Sequence, residues 1–134
     1  RDFCLSRGLG DVYKRQSMYR TGLCYYNGVG VKQNYAEAYR WFTDAAGNEN
    51  IGAAYYLGKM QMYGEGCTPD PEAAVQWLLK AAEKNNDKAQ FELGNAYLTG
   101  NGVEENDDIA MEWFEKAAEN GNEKALKITG RRRK

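Results

Sequence analysis

The sequence predicts an all-α protein, a solenoid of about three 36-residue helix pairs followed by part of a fourth. Three observations predict this fold. Glycine, tryptophan and paired alanines recur at a constant interval, apolar residues in each unit follow the helical period, and double-glycine turns and polar capping residues separate the helices. The residues that keep the interval include Gly22, Gly58, Gly94 and Gly130 in the first helices, and Trp41, Trp77 and Trp113 in the second helices.

The first helix of each unit is predicted from an apolar stripe that contains a glycine. Glycine inside a helix costs roughly 1 kcal/mol relative to alanine, so its recurrence needs a structural reason. We expect Gly58 and its equivalents to let a second helix come close, with Trp41 and its equivalents filling the remaining space. The small residues expected to face the glycine are Ala38, Ala45 and Ala46, and the stripe in the third unit is Ala89, Leu93, Ala96 and Tyr97.

The second helix of each unit is predicted to begin after a capping residue, because Asn34, Asp70 and Asn106 accept hydrogen bonds well at that position and lie 36 residues apart. Its end is less uniform. Gly121 and Asn85 suit a left-handed residue after the helix. Glu49 does not, so we expect Gly47 to end that helix earlier.

The turn between the helices, Gly100-Asn101-Gly102 in the third unit, resembles a phosphate or metal loop at first sight. A phosphate cradle needs a fuller glycine signature and would not recur in every unit. The acidic residues Glu104, Glu105, Asp107 and Asp108 lack the spacing of a calcium loop, and they lie where a helix N-terminus favours negative charge. We therefore interpret the segment as a structural turn.

The composition argues against catalysis and metal binding. The 134 residues include no histidine, which is the commonest general base and metal ligand. The three cysteines form no CxxC pair. We therefore predict no cofactor, no metal site and no catalytic residue, and no run is long enough to cross a bilayer.

The first sixteen residues do not share the repeat. Residues 6–16, SRGLGDVYKRQ, read as the translation of a sequencing-library transposon adapter, so we expect residues 1–16 to be adapter-derived and the natural protein to extend further upstream. Without them and without the basic tail, Arg131–Lys134, the chain carries 10 basic and 17 acidic residues. This acidic body predicts that nucleic acid is not the ligand. The tail could dock on an acidic partner or an anionic membrane, or form a solvated terminus.

The repeat pattern A-x-x-x-L-G-x-x-Y-x-x-G-x-G-V, followed by A-x-x-W-x-x-x-A-A, resembles the Sel1-like repeat, a relative of the tetratricopeptide repeat. Residues 89–121 match all of it. The second unit departs at Gln61 and Cys67, and the first departs at Ser17 and Thr21. The resemblance divides residues 17–130 into units at 17–52, 53–88 and 89–124, with a partial unit at 125–130.

The resemblance implies a right-handed αα-superhelix that binds a protein or peptide and is not an enzyme. Cysteine-rich members of the family pair cysteines where this chain has alanines, so those disulfides are absent, and Cys24 and Cys67 are interpreted as small buried apolar residues. A weak small-molecule site or a hydrolase-like activity in the groove is the alternative function. Localisation, cytoplasmic or exported, stays open.

In solenoids of this kind the first helices line the concave surface, and the face opposite the apolar stripe is the predicted partner site. The aromatic residues of this face either pack helix against helix or contact a partner, whereas its varied positions are better partner contacts. The predicted residues are Tyr19, Leu23, Tyr26, Tyr55, Lys59, Met62, Phe91, Asn95 and Leu98.

Overall fold

The computed structural model describes residues 11–130, which fold into seven helices in three antiparallel pairs and a short seventh helix. No strand occurs in this part of the chain, so the predicted all-α repeat fold is confirmed. Residues 1–10 and the basic tail lie outside the described residues. The helices are α1 (Asp11–Asn27), α2 (Tyr35–Gly47), α3 (Ile51–Tyr63), α4 (Pro71–Glu83), α5 (Asp87–Thr99), α6 (Asp107–Glu119) and α7 (Glu123–Thr129).

Polar side chains cap the start of both helices in a unit. The predicted caps of the second helices are confirmed: the Asn34 side chain, for example, accepts a hydrogen bond of 3.1 Å from the backbone N–H of Glu37. The first helices are capped in the same way, which was not predicted from the sequence. Their capping residues are again 36 residues apart: Asn50, Asn86 and Asn122.

The ends of the second helices correct one prediction. α2 runs to Gly47 and has the same 13 residues as α4 and α6, so Gly47 does not end it early. Glu49 takes the left-handed conformation (φ 68°) that Asn85 (φ 68°) and Gly121 (φ 90°) take in the later units. The reason is that the backbone N–H of the next residue must reach back to the helix, as Asn50 does to the Ala45 carbonyl at 3.1 Å.

The two helices of a unit touch at the repeated glycine. A Cβ atom placed on Gly22 would lie 2.7 Å from the Phe42 ring, and one on Gly58 would lie 2.8 Å from Leu78 Cγ. The nearest facing side chains are therefore Phe42, Leu78 and their equivalent Phe114, all fully buried, while Ala74, the equivalent of Ala38, contributes its carbonyl oxygen at 3.1 Å from the position of a Cβ atom on Gly58. The tryptophans lie half-buried at the margin of the core instead of filling its centre. This corrects the expected packing, while the reason for the glycine is the predicted one.

Each double-glycine turn connects the two helices of one unit and packs against the preceding unit. Gly66 (φ 76°) and Gly102 (φ 84°) have positive φ angles that favour glycine. A Cβ atom on Gly102 would lie 2.5 Å from the Pro71 carbonyl oxygen, at the start of the second helix of the preceding unit. The turns are therefore structural, as predicted, and they also let one unit stack closely on the next.

We expect Gly58→Ala to destabilise the protein and Gly47→Ala to stabilise it. The added methyl group at residue 58 would also lie 3.1 Å from the Ala74 carbonyl oxygen, which cannot rotate away, and crowding of this kind typically costs about 1–3 kcal/mol. Nothing lies within 4 Å of a Cβ atom on Gly47, so there the higher helix propensity of alanine adds up to about 1 kcal/mol. Urea unfolding measures both. Equal effects of the two substitutions would disprove the close-approach argument.

We expect Glu49→Gly to raise the free energy of unfolding by about 1 kcal/mol, because an L side chain is strained by roughly this amount in the left-handed region. Asn85→Gly is the matched control at the same place in the next unit. Its gain should be smaller, since asparagine tolerates this conformation better. A loss of stability in Glu49→Gly would mean that the Glu49 side chain contributes more than its backbone costs.

Candidate partner-binding groove

An open groove of about 550 Å³ lies between α3 and α5, the first helices of the second and third units. Both helices are held by the glycine contacts with their own second helices, so the walls of the groove are part of the packed solenoid. We call it the α3–α5 groove. It is lined by Met62, Tyr63, Glu92, Asn95, Ala96, Thr99, Gly100 and Asn101.

A hydrogen bond across the groove joins its two walls. The Tyr63 hydroxyl group donates to Glu92 Oε1 over 2.8 Å, and 53% of the Tyr63 surface stays exposed. Burial raises the pKa of the Tyr63 hydroxyl, and the hydrogen bond and the negative charges of Glu92 and Glu65 raise it further. Tyr63 is therefore a protonated donor at neutral pH, and Glu92 is its acceptor.

The floor of the groove is less polar, and its polar groups are only partly engaged. Asn101 Nδ2 donates to the sulfur of Met62 over 3.2 Å, and Met62 itself is buried. Thr99 Oγ1 donates to the Asn95 carbonyl over 2.9 Å. The side-chain amide of Asn95 is half-buried and forms no hydrogen bond with another described residue. Its donor and acceptor are available to a bound molecule.

The contact between Met62 and Asn101 joins the second and third units. Its equivalent between the first and second units uses different side chains. Tyr26, the equivalent of Met62, donates a hydrogen bond of 2.7 Å to Glu65, the equivalent of Asn101. Lys59 takes the place of Asn95, and its Nζ lies 5.5 Å from the centre of the Tyr26 ring. The backbone is thus the same in both units, while the side chains presented beside it differ.

The nine residues predicted as partner contacts differ in how deeply they are buried. Tyr26, Tyr55 and Met62 are buried in the core, whereas Leu98 is 45% exposed. The other five are half-buried: Tyr19, Leu23, Lys59, Phe91 and Asn95. The α3–α5 groove brings together two of the nine, Met62 and Asn95.

The aromatic row packs mainly between helices. The ring of Tyr19 lies 6.1 Å from that of Phe42, and the ring of Phe91 lies 5.5 Å from that of Phe114. Tyr55 is only 7% exposed. Of the two alternatives for this row, the packing one agrees with these contacts, and little of Tyr55 is left for a partner.

Six groove residues are absent from the predicted nine, and four of them have polar side chains: Tyr63, Glu92, Thr99 and Asn101. The predicted face is turned by about one residue, because it runs through residues 91 and 98, whereas the groove is lined by residues 92 and 99. A sequence signal for this face does exist. Glu92, Asn95 and Thr99 form a polar stripe at i, i+3 and i+7, which places them on one side of α5.

The described residues contain no cluster of three or more histidine, cysteine, aspartate or glutamate side chains that could hold a metal ion. Within the same range, no helix is both long and apolar enough to span a bilayer. Cys67 is a half-buried free thiol, so it is less buried than predicted. Cys24 is buried.

Three stretches of the chain match the Sel1 repeat family: residues 15–49, 51–86 and 87–122. A search of curated proteins gave no match. Two solved structures are similar in both fold and sequence. A Sel1 repeat protein from Oxalobacter formigenes has a TM-score of 0.82 and 34% identity over 89% of this chain, and 49% of that chain is covered. A protective antigen of uropathogenic Escherichia coli that displays an SLR fold has a TM-score of 0.83 and 38% identity over 89% of this chain, and 26% of that chain is covered.

The chain therefore spans about half the length of the Oxalobacter protein and about a quarter of the E. coli antigen. A third structure, cysteine rich protein B from Helicobacter pylori, has a TM-score of 0.71 and 24% identity, and the alignment covers 87% of this chain and 90% of that chain. At this identity the likeness shows the fold alone.

Proposed function

The chain belongs to the Sel1 repeat family, whose members are typically scaffolds for protein interactions, and from this premise we propose that it is a non-catalytic scaffold that binds a protein or peptide segment in the α3–α5 groove. The observation that carries the proposal is the polar stripe of Glu92, Asn95 and Thr99 on one wall, opposite the exposed Tyr63 on the other. These groups converge on one open space and are only partly engaged with each other.

The chemistry of the groove suits a peptide backbone. An asparagine side chain offers a donor and an acceptor at once, which are the two groups that the main chain of an extended peptide presents. Neither the donor nor the acceptor of the Asn95 side chain is hydrogen-bonded to a described residue. Asn101 also lines the groove, and its side-chain oxygen takes no part in the hydrogen bond to Met62. The exposed Tyr63 ring adds apolar contact area of the kind that anchors interfaces.

The alternative, a hydrolase-like activity, lacks a supporting observation. The chain has no histidine, and the groove contains a single carboxylate, Glu92, whose nearest described partner is a protonated tyrosine. A general acid–base pair needs two groups with different pKa values near the reacting atoms. The groove offers one such group.

Selection of peptides from a random display library tests the proposal. We expect the selected peptides to bind the wild-type chain and to bind the double variant Asn95→Ala with Thr99→Ala about tenfold or more weakly. The reason is that two hydrogen bonds of about 0.5–1.5 kcal/mol each are lost. Fluorescence polarisation of labelled peptides measures the dissociation constants. Thermal unfolding checks that the variant remains folded.

The matched control is Lys80→Ala with Glu83→Ala on α4, where these residues line a separate surface depression with Trp77. This pair should leave peptide affinity unchanged. If the α4 pair abolished binding and the groove pair did not, partners would bind through the second helices instead. Lys59 and Met62 are less suitable as a test pair, because Met62 is buried and its truncation would also disturb the core.

A further inference from the structure

One carboxylate, Glu92, lines the α3–α5 groove, and a second, Glu65, lies outside its lining in the turn after α3; neither has a cationic partner among the described residues. Glu92 shares one oxygen with the Tyr63 hydroxyl group, and Glu65 in the turn after α3 accepts from the Tyr26 hydroxyl group. The one salt bridge between described residues joins Arg40 and Glu37 on α2, away from this groove. Neither Glu65 nor Glu92 is therefore neutralised by a described lysine or arginine side chain.

The lysines of the two groove helices, Lys59 on α3 and Lys88 on α5, form no ion pair with either glutamate. Lys59 lies with its Nζ over the Tyr26 ring, at 5.5 Å from the ring centre. Lys88 precedes Glu92 by one helical turn on α5, a spacing that permits an ion pair, but it is exposed and forms none. Burial is the main cause that raises the pKa of Tyr63 and of Tyr55, and the negative charges of both glutamates raise it further, which agrees with a negative potential in this part of the surface.

The aromatic ring of Tyr63 forms a wall of the groove beside the Glu92 carboxylate. Its hydroxyl group is fixed to Glu92, and just over half of its surface is open to solvent. A carboxylate beside a fixed aromatic ring matches a guanidinium group, which can stack on the ring and donate to the carboxylate at once. A lysine ammonium group would make the charge contact but not the planar stack.

Building on the function proposed above, we infer that the partner segment carries an arginine, whose guanidinium group binds between the Glu92 carboxylate and the Tyr63 ring while its main chain is hydrogen-bonded by Asn95. The groove volume of about 550 Å³ lies within the roughly 300–1,000 Å³ that is typical of small-ligand sites, so it can hold one long side chain and adjoining backbone.

The preceding unit explains why the arginine selects this position along the solenoid. There, the equivalent of Glu92 is Tyr56 and the equivalent of Asn95 is Lys59. A positive side chain at that place would repel a guanidinium group instead of attracting it. The register of the bound segment is therefore set by the single unit in which the stripe contains a glutamate.

The test uses the peptides selected from the library. We expect arginine to be enriched in peptides that depend on Asn95 and Thr99, and replacement of that arginine by citrulline, which has nearly the same shape and no charge, to weaken binding about tenfold or more. Glu92→Gln should weaken the arginine peptide by a similar factor. It should change the affinity of the citrulline peptide little, because the two changes remove the same contact.

Glu112→Gln is the matched control, since it removes the same charge from an exposed position on α6. It should leave the affinity of the arginine peptide unchanged. Equal weakening by Glu112→Gln and Glu92→Gln would overturn the inference, because it would show only general attraction to an acidic chain.

Two further outcomes separate this inference from the function on which it rests. Selected peptides that lack arginine but still need Asn95 and Thr99 would overturn the arginine site and leave the scaffold proposal standing. Peptides whose affinity depended on neither the Asn95 and Thr99 pair nor Glu92 would overturn both.

Discussion

The close approach of two helices at a glycine sets the geometry of the whole solenoid. A helix that carries a Cβ atom at residue 22, 58 or 94 could not approach its partner without moving Phe42, Leu78 or Phe114. These three side chains are fully buried, so they have little room to move. The distance between the first and second helices follows from this contact, and the position of every surface that the first helices present follows from that distance.

Stacking of the units depends on a second set of contacts, located in the turns. Gly66 and Gly102 place the turn of one unit against the start of the second helix in the preceding unit, where a side chain would strike backbone atoms. Beside them, Tyr26 reaches Glu65 and Met62 reaches Asn101 across the same boundary. Stacked repeats of this kind derive stability from interfaces between neighbours as well as from each unit. The α3–α5 groove lies at one such interface, so its shape depends on the same contacts as the stability of the array.

The sequence predicted the repeat and the fold well because both follow from a periodic pattern that is present in every unit. The sequence was less informative about side-chain contacts, because the identity of a residue does not determine which side chains pack against it. Gly58 indicated a close approach, but the partner could be the alanines or Leu78, and only the crossing of the helices decides between them. The prediction for Glu49 is wrong because a glutamate disfavours the left-handed conformation, whereas the hydrogen bonding of the helix end requires it.

The groove was harder to predict for a related reason. A face of α5 rotated by one residue, through 91 and 98 instead of 92 and 99, has a similar mixture of aromatic and polar side chains. The residues that recur every 36 positions determine the backbone of each unit. Because they are the same in every unit, they cannot distinguish one unit from another. The neighbouring positions are free to vary, as Tyr56 and Glu92 or Lys59 and Asn95 show. Tyr63 lines the α3–α5 groove from α3, and its register in the repeat is that of Thr99, which lines the groove from α5. The same position of the repeat therefore lines this groove from both of its walls, with a tyrosine on one side and a threonine on the other.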